Sequence, residues 1–206
     1  MARIYGDLPE NLGFIDIPTD EMLNWLYCPI STPNTGVVIP ENLSQFQPII
    51  DAVRNREPYR FHSEYVYITA KTLYVEGTFV GNRPGWHADG FGTDDLNFIW
   101  YDAEPTWFYG PTCFTLPKDC TNSMELMAKH ALGREIITYP VKNLLRLTPS
   151  VIHQPPPSVR PGMRTFVKVS ISPDRYNLIG NSINHNLGER WPLIPRTVER
   201  NHPAAK

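Results

Sequence analysis

The sequence lacks long apolar segments and has few cysteines. Both features bear on whether the protein crosses a membrane and on the compartment in which it is expected. No apolar run approaches the ~20 residues needed to cross a bilayer, and the N-terminal residues lack the apolar stretch of a signal peptide. The cysteines, Cys28, Cys113 and Cys120, match neither a disulfide framework nor a paired zinc motif. The sequence therefore predicts a soluble, cytoplasmic protein with no membrane segment.

Long helices are also disfavoured by the composition. The chain of 206 residues contains 21 prolines and 13 glycines, and proline within a helix removes a hydrogen bond and clashes with the preceding turn. The 41% hydrophobic content is enough for one sizeable core. We expect a single domain spanning residues 1–206, mainly β with a few flanking helices.

Charge is divided unevenly along the chain. Residues 1–141 carry 9 Lys/Arg against 18 Asp/Glu, whereas residues 142–206 carry 10 against 3. A basic segment of this kind indicates a surface for an anionic ligand or nucleic acid. It is equally consistent with a segment that folds against the acidic remainder, and the sequence leaves both interpretations open.

Helices are predicted in three places. Residues 1–60 are expected to form a helical flank, with a short capped helix over residues 19–26 and a second helix over residues 46–53. Pro48 is compatible with the first turn of the second helix. A third helix is expected from about Asn122 to Leu132, where a capping-box spacing opens the segment and Gly133 closes it.

Residues 61–173 have the pattern of a β core. Their strand candidates are rich in β-branched and aromatic residues and are bounded by turn residues. They are Tyr65–Thr69, Thr72–Val75, Leu96–Tyr101, Trp107–Thr115, Glu135–Tyr139, Asn143–Leu147 and Thr165–Ile171. Many short strands with few helices favour a sandwich, jelly roll or barrel. Residues 174–206 are expected to form an extension of loops with one short helical turn and a frayed end.

A candidate metal site is formed by two histidines and one aspartate. His87 and Asp89 are two residues apart, and on a strand that spacing places both side chains on one face. His153, 66 residues beyond His87, follows an apolar strand-like segment. Two imidazoles and a carboxylate on one side of an ion leave coordination positions open, which is the arrangement that suits Fe(II) oxygen chemistry.

A cationic side chain follows in the next strand candidate. Arg164 lies 11 residues beyond His153 and opens an alternating segment in which Phe166, Lys168 and Ser170 share its face. The planar guanidinium can donate two parallel hydrogen bonds to a carboxylate. A dicarboxylate could therefore reach from the metal to Arg164.

The order His87-x-Asp89, His153 and Arg164 resembles that of the Fe(II)/2-oxoglutarate-dependent dioxygenases, over residues 65–172. The resemblance implies a double-stranded β-helix, a cupin-like jelly roll. It also implies that His87, Asp89 and His153 bind Fe(II) and that Arg164 holds the distal carboxylate of 2-oxoglutarate. The expected reaction consumes O2 and 2-oxoglutarate, releases succinate and CO2, and hydroxylates a substrate.

Candidate substrate contacts are Trp86, Arg160 and Lys168. The substrate is expected to be a small molecule or a nucleobase in nucleic acid, and base chemistry would require the base to leave its stack. An alternative from another class is a cupin-like metal- or sugar-binding protein or isomerase that consumes no oxygen, because the fold alone does not determine the function. The sequence does not indicate an oligomeric state.

Overall fold

The structure is a computed structural model that describes residues 2–195. The strands in this part of the chain are β1 Ala2–Tyr5, β2 Glu10–Phe14, β3 Leu23–Ser31, β4 Tyr65–Gly77, β5 His87–Ala88, β6 Leu96–Tyr101, β7 Trp107–Tyr109, β8 Phe114–Pro117, β9 Ile136–Ile137, β10 Asn143–Leu147, β11 Ile152–Gln154 and β12 Val159–Ser172. The helices are a 3-10 helix Glu41–Phe46, α1 Gln47–Arg56, α2 Pro58–Ser63 and α3 Ser123–Ala131. None of these helices is long and apolar enough to cross a bilayer.

Two antiparallel sheets face each other. The larger has the order β2-β10-β6-β12-β4-β3 and the smaller the order β5-β11-β7-β9, and β1 and β8 form a separate ribbon. Successive core strands fall in different sheets, except for β7 and β9, which pair with each other. Strands β4, β6, β10 and β12 thus oppose β5, β7, β9 and β11. This arrangement is a double-stranded β-helix, and the predicted mainly β fold with a jelly-roll core is confirmed.

The larger sheet is covered on both faces, as its strand β6 illustrates. Phe98 and Trp100 pack outward against the 3-10 helix and α1, whereas Ile99 and Tyr101 pack inward between the sheets. All six residues of β6 are buried. A strand covered on both faces is expected to be a continuous apolar segment instead of an alternating one, which is the pattern in Leu96–Tyr101.

The N-terminal flank is less helical than predicted. The proposed helix over residues 19–26 is wrong, because Leu23–Ser31 is strand β3 and pairs with β4 at the edge of the larger sheet. Residues 1–60 also contribute strands β1 and β2. Pairing with an exposed sheet edge outweighed the local capping signal, which is a weak determinant when tertiary partners are present. The second predicted helix is confirmed as α1, with its proline in the first turn.

Other boundaries differ in detail. The helix predicted over residues 122–132 is confirmed as α3, but Asn122 makes no side-chain capping hydrogen bond. The strand predicted over residues 107–115 is divided into β7 and the start of β8. Residues 174–195 contain no helix, so the helical turn expected there is absent from the described residues. The predicted fraying of the C-terminus concerns residues outside the described range.

Candidate metal centre

His87, Asp89 and His153 converge inside the sandwich. His87 and His153 lie opposite each other in the antiparallel pair β5 and β11, with ring centroids 4.6 Å apart. Asp89 lies just beyond β5, and its carboxylate faces both rings. The three ligand atoms lie within 4.8 Å of one another, so the structure brings together the triad predicted from the sequence.

Both imidazoles have the form that binds a metal. Burial lowers the pKa of His153 to about 3, and it also lowers the pKa of His87. Both rings are therefore neutral at pH 7. His87 Nδ1 lies 2.7 Å from the carbonyl oxygen of Gly85. A carbonyl only accepts, so Nδ1 carries the proton and Nε2 presents its lone pair. This second hydrogen bond is typical of histidine that binds a metal.

The space between the three ligand atoms fits an ion. His87 Nε2 is 3.9 Å from Asp89 Oδ1, and His153 Nε2 is 3.7 Å from Asp89 Oδ2, distances too long for hydrogen bonds. Ligand atoms at right angles around an ion with bonds of about 2.1 Å lie roughly 3 Å apart. The two His–Asp distances exceed this separation by less than about 1 Å, and the three ligand atoms, which lie within 4.8 Å of one another, must draw together when a metal binds. This His-Asp-His cluster could hold a divalent cation.

Lys168 is the partner of the Asp89 carboxylate. Its Nζ lies 3.1 Å from Asp89 Oδ2 and donates to the Tyr27 hydroxyl at 3.3 Å. Burial opposes ionisation of Asp89, but the interactions of its carboxylate, chiefly with the ammonium of Lys168, outweigh burial and lower the carboxyl pKa. Burial likewise disfavours the ammonium of Lys168, yet the charge of Asp89 raises its pKa. The pair is therefore fully ionised at neutral pH.

The triad lies at the wall of a cavity of about 290 Å³. The larger sheet contributes Thr69, Lys71, Asn97, Phe166 and Lys168 to the lining. Helix α3 contributes residues from its first two turns, including Met124 and Met127. The cavity therefore combines apolar lining residues with cationic groups next to the candidate metal centre.

Lys71 is a cavity residue that sequence reasoning missed. It lies opposite Phe166 in the pair β4 and β12, and its Nζ donates to the carbonyl of Gly81 at 3.0 Å. Burial, together with the charges of Lys168 and Arg164, lowers the pKa of Lys71 to about 8. The available signal was its position as the single charged residue among residues 65–75, at a strand position that shares a face with Thr69.

Arg164 lies behind the cavity wall. Its side chain is buried, with Nε donating to the carbonyl of Ala103 at 3.1 Å and Nη1 to that of Val80 at 3.3 Å. The guanidinium lies over the ring of Phe166, which lines the cavity, whereas Arg164 is not among the lining residues in the described part of the chain. Nη2 is buried without a hydrogen-bond partner. Burial lowers the Arg164 pKa to about 10, so the group remains charged.

Of the three predicted substrate contacts, one lines the cavity and two do not. Lys168 lines the cavity. Trp86 packs edge-on against Tyr109 in an apolar cluster that includes residues of α3, and it does not line this cavity. Arg160 has a side chain that is 93% exposed and pairs with Glu104 at 3.3 Å. The structure therefore brings only Lys168 of these three to the candidate metal centre.

The basic part of the chain packs against acidic residues. Arg146 pairs with Glu57 at 2.7 Å, and Lys142 pairs with Asp16. Together with the pairs that Arg160 and Lys168 make, these contacts link residues beyond 141 to carboxylates nearer the N-terminus. Among residues 2–195, Lys142, Arg146, Arg160 and Lys168 thus each have a carboxylate partner in the acidic part of the chain.

The chain matches solved structures but no family model and no curated protein. Among solved structures, the crystal structure of EvdMO1 matches with a TM-score of 0.40 at 14% sequence identity. The match covers 76% of this chain but 40% of that one, so the chain spans less than half of the EvdMO1 length.

Proposed function

We propose that the protein is a non-haem Fe(II)- and 2-oxoglutarate-dependent dioxygenase that hydroxylates a small-molecule substrate, with release of succinate and CO2. The observation that supports this proposal is the convergence of two neutral imidazoles and one carboxylate in a cavity of the double-stranded β-helix. Two histidines and one carboxylate on one side of an ion leave positions for a chelating co-substrate and for O2. The donor set therefore fits Fe(II).

Under this proposal the cationic residues position the co-substrate. Lys71 presents an ammonium at the wall, and Arg164 lies behind Phe166 with one nitrogen that has no partner. A turn of the Phe166 ring would open a path from the cavity to the guanidinium. The distal carboxylate of 2-oxoglutarate would then be held by Lys71 and Arg164, because charged hydrogen bonds to carboxylates are the strongest available.

The chemistry itself would come from the bound groups. Iron held by His87, Asp89 and His153, together with 2-oxoglutarate, would supply an oxidant from O2, with one oxygen atom entering succinate and the other entering the substrate. The protein residues bind and orient the reactants and limit the entry of water. A cavity of about 290 Å³ lies at the small end of ligand sites, so it would admit the co-substrate and a small part of the substrate.

A small molecule is favoured over a nucleobase in nucleic acid. Nucleic-acid binding depends on cationic side chains that are free to contact phosphates. Among the described residues, Arg146, Lys142 and Arg160 are instead paired with carboxylates of the same chain. These three cations therefore have partners within the chain and do not require an anionic polymer.

The test is the conversion of 2-oxoglutarate to succinate by anaerobically purified, Fe(II)-loaded protein after exposure to air. We expect succinate from the wild type and none from Asp89→Ala. Because some oxygenases turn over only with substrate bound, the visible charge-transfer band of the Fe(II) chelate is measured in parallel. Absence of both signals would reject the proposal.

The second candidate is a cupin-like metal-binding protein that consumes no oxygen. It is favoured by one observation, that Arg164 donates to two backbone carbonyls and does not line the cavity. Calorimetry of 2-oxoglutarate binding to Arg164→Ala separates the two functions. Loss of a charged hydrogen bond, worth about 1.5 to 3 kcal/mol, should weaken binding at least tenfold. Unchanged affinity would remove the assigned role of Arg164, and absence of 2-oxoglutarate binding to the wild type would favour the second candidate.

A further inference from the structure

Lys168 is a buried cation whose compensating anion is the candidate metal ligand. Its side chain is 10% exposed, and Asp89 is the carboxylate with which it forms an ion pair. The other carboxylate that lines the cavity, Asp95, accepts a hydrogen bond from the Tyr176 hydroxyl at 2.7 Å. A buried ammonium is tolerated only while an anion or well-placed acceptors compensate its charge. Asp89 has this role in the structure.

Tyr27 is the second residue that contacts the Lys168 ammonium. The ammonium lies 4.9 Å from the Tyr27 ring centroid and within hydrogen-bond distance of its hydroxyl. Tyr27 has a φ of 47°, an unfavourable value for a residue other than glycine, and it lies in a β-bulge of β3 between Trp25 and Cys28. Such strained positions are concentrated at functional sites. The bulge places Tyr27 at the wall of the cavity.

Binding of a metal would remove the partner of Lys168. A divalent cation between His87, Asp89 and His153 neutralises the same carboxylate and repels the ammonium 3.1 Å from it. The backbone of Lys168 is fixed at a strand position opposite Thr69, and its side chain is 10% exposed, so its ammonium has little contact with water. Its charge must then be compensated by another anion in the cavity.

We propose that Lys168 is an exchangeable counter-ion, paired with Asp89 in the metal-free protein and with a carboxylate of a bound ligand once the metal site is filled. Lys168 Nζ and the Tyr27 hydroxyl can both donate to such a carboxylate. The consequence is positive cooperativity between the divalent cation and the carboxylate ligand. This inference rests on the proposed function for the identity of one carboxylate source, 2-oxoglutarate. The other source is a carboxylate on the substrate.

The test is Mn(II) binding to chelator-treated full-length protein, measured from the electron paramagnetic resonance signal of the free ion. Titrations are run with and without 2-oxoglutarate on the wild type, Lys168→Met and the control Lys129→Met. Lys129 pairs with Glu125 on the surface of α3, so its loss should not alter binding. For Lys168→Met we expect Mn(II) alone to bind at least tenfold more tightly than to the wild type, because no ammonium competes for Asp89. The tightening by 2-oxoglutarate should fall at least tenfold, which lies within the usual range of coupling between sites.

A second arm separates the two carboxylate sources. Acetate is added to protein that already holds Mn(II) and 2-oxoglutarate. If 2-oxoglutarate tightens Mn(II) binding in the wild type but much less in Lys168→Met, Lys168 pairs with a carboxylate of the co-substrate. If only the tightening by acetate is reduced in Lys168→Met, Lys168 pairs with a carboxylate of the substrate. Equal Mn(II) affinity of the wild type and Lys168→Met, with unchanged tightening in both arms, overturns the proposal.

Failure of the proposed function is distinguishable from failure of this inference. If 2-oxoglutarate does not bind the Mn(II) protein at all, the proposed function fails, whereas the comparison of Mn(II) affinities still tests the exchange at Asp89. Lys168→Gln provides a second neutral variant, which retains a donor toward Asp89 if Lys168→Met does not fold. We expect it to show the same tighter Mn(II) binding and the same reduced tightening.

Discussion

The ion pair between Asp89 and Lys168 gives the most direct test of the buried charge arrangement. Asp89→Asn keeps the size of the side chain and removes its charge, which leaves the ammonium of Lys168 without its anion. The side chains are 19% and 10% exposed, so solvent screens the pair only weakly. Removing one partner of a buried pair typically costs 3–5 kcal/mol. We expect Asp89→Asn to destabilise the metal-free protein by about 3 kcal/mol.

The assay is thermal unfolding in the presence of a chelator. For a chain of about 200 residues, 1 kcal/mol corresponds to roughly 2–4 °C in Tm, so Asp89→Asn should lower Tm by about 6–12 °C. The double variant Asp89→Asn/Lys168→Met should recover most of this loss, because replacing both partners of a buried pair is often neutral. A double-mutant cycle isolates the interaction between the two side chains.

The result that would refute this reasoning is additivity. If the double variant is destabilised by the sum of the two single variants, the charges do not interact in the folded protein. Arg54→Met is the matched control, because Arg54 and Asp51 form a surface pair with half-exposed side chains. Exposed pairs contribute about 0 to 1 kcal/mol, so this control should leave Tm nearly unchanged.

Three further results are expected. His153→Ala should abolish Fe(II) binding, whereas the exposed His62→Ala should retain it; equal iron content by metal analysis would contradict the site. Affinity for 2-oxoglutarate should fall by up to tenfold per pH unit above about pH 8, because burial lowers the Lys71 pKa to about 8 and only the protonated amine binds a carboxylate. Calorimetry should show this decline in the wild type but not in Lys71→Met. In a gel shift, duplex and single-stranded DNA should not bind at low salt, and salt-sensitive binding would revive the nucleobase substrate.

Local patterns were sufficient where the segment also matched its tertiary environment. Helix α1 and strands β6 and β10 were predicted close to their observed positions, because their apolar residues have the spacing that each element buries. Strand β4 is continuous over Tyr65–Gly77, where two strands, Tyr65–Thr69 and Thr72–Val75, were predicted. The segment over residues 19–26 was predicted incorrectly because its short-range capping signal is worth less than the ladder of hydrogen bonds that β3 makes with β4. The sequence of residues 19–26 does not indicate that the edge of a sheet lies beside them.

In the candidate site, too, some features follow from the sequence and others only from the tertiary structure. The sequence by itself determined the donor set, since His87, Asp89 and His153 are chemically suited to an ion and their spacing places two of them on one face. Only the tertiary structure decided which residues lie next to one another in the site. Pairing of β5 with β11 placed the histidines side by side, and pairing of β12 with β4 aligned Lys168 with Thr69. The physical reason is that strand register depends on partners distant in sequence, and register determines which charges share the interior.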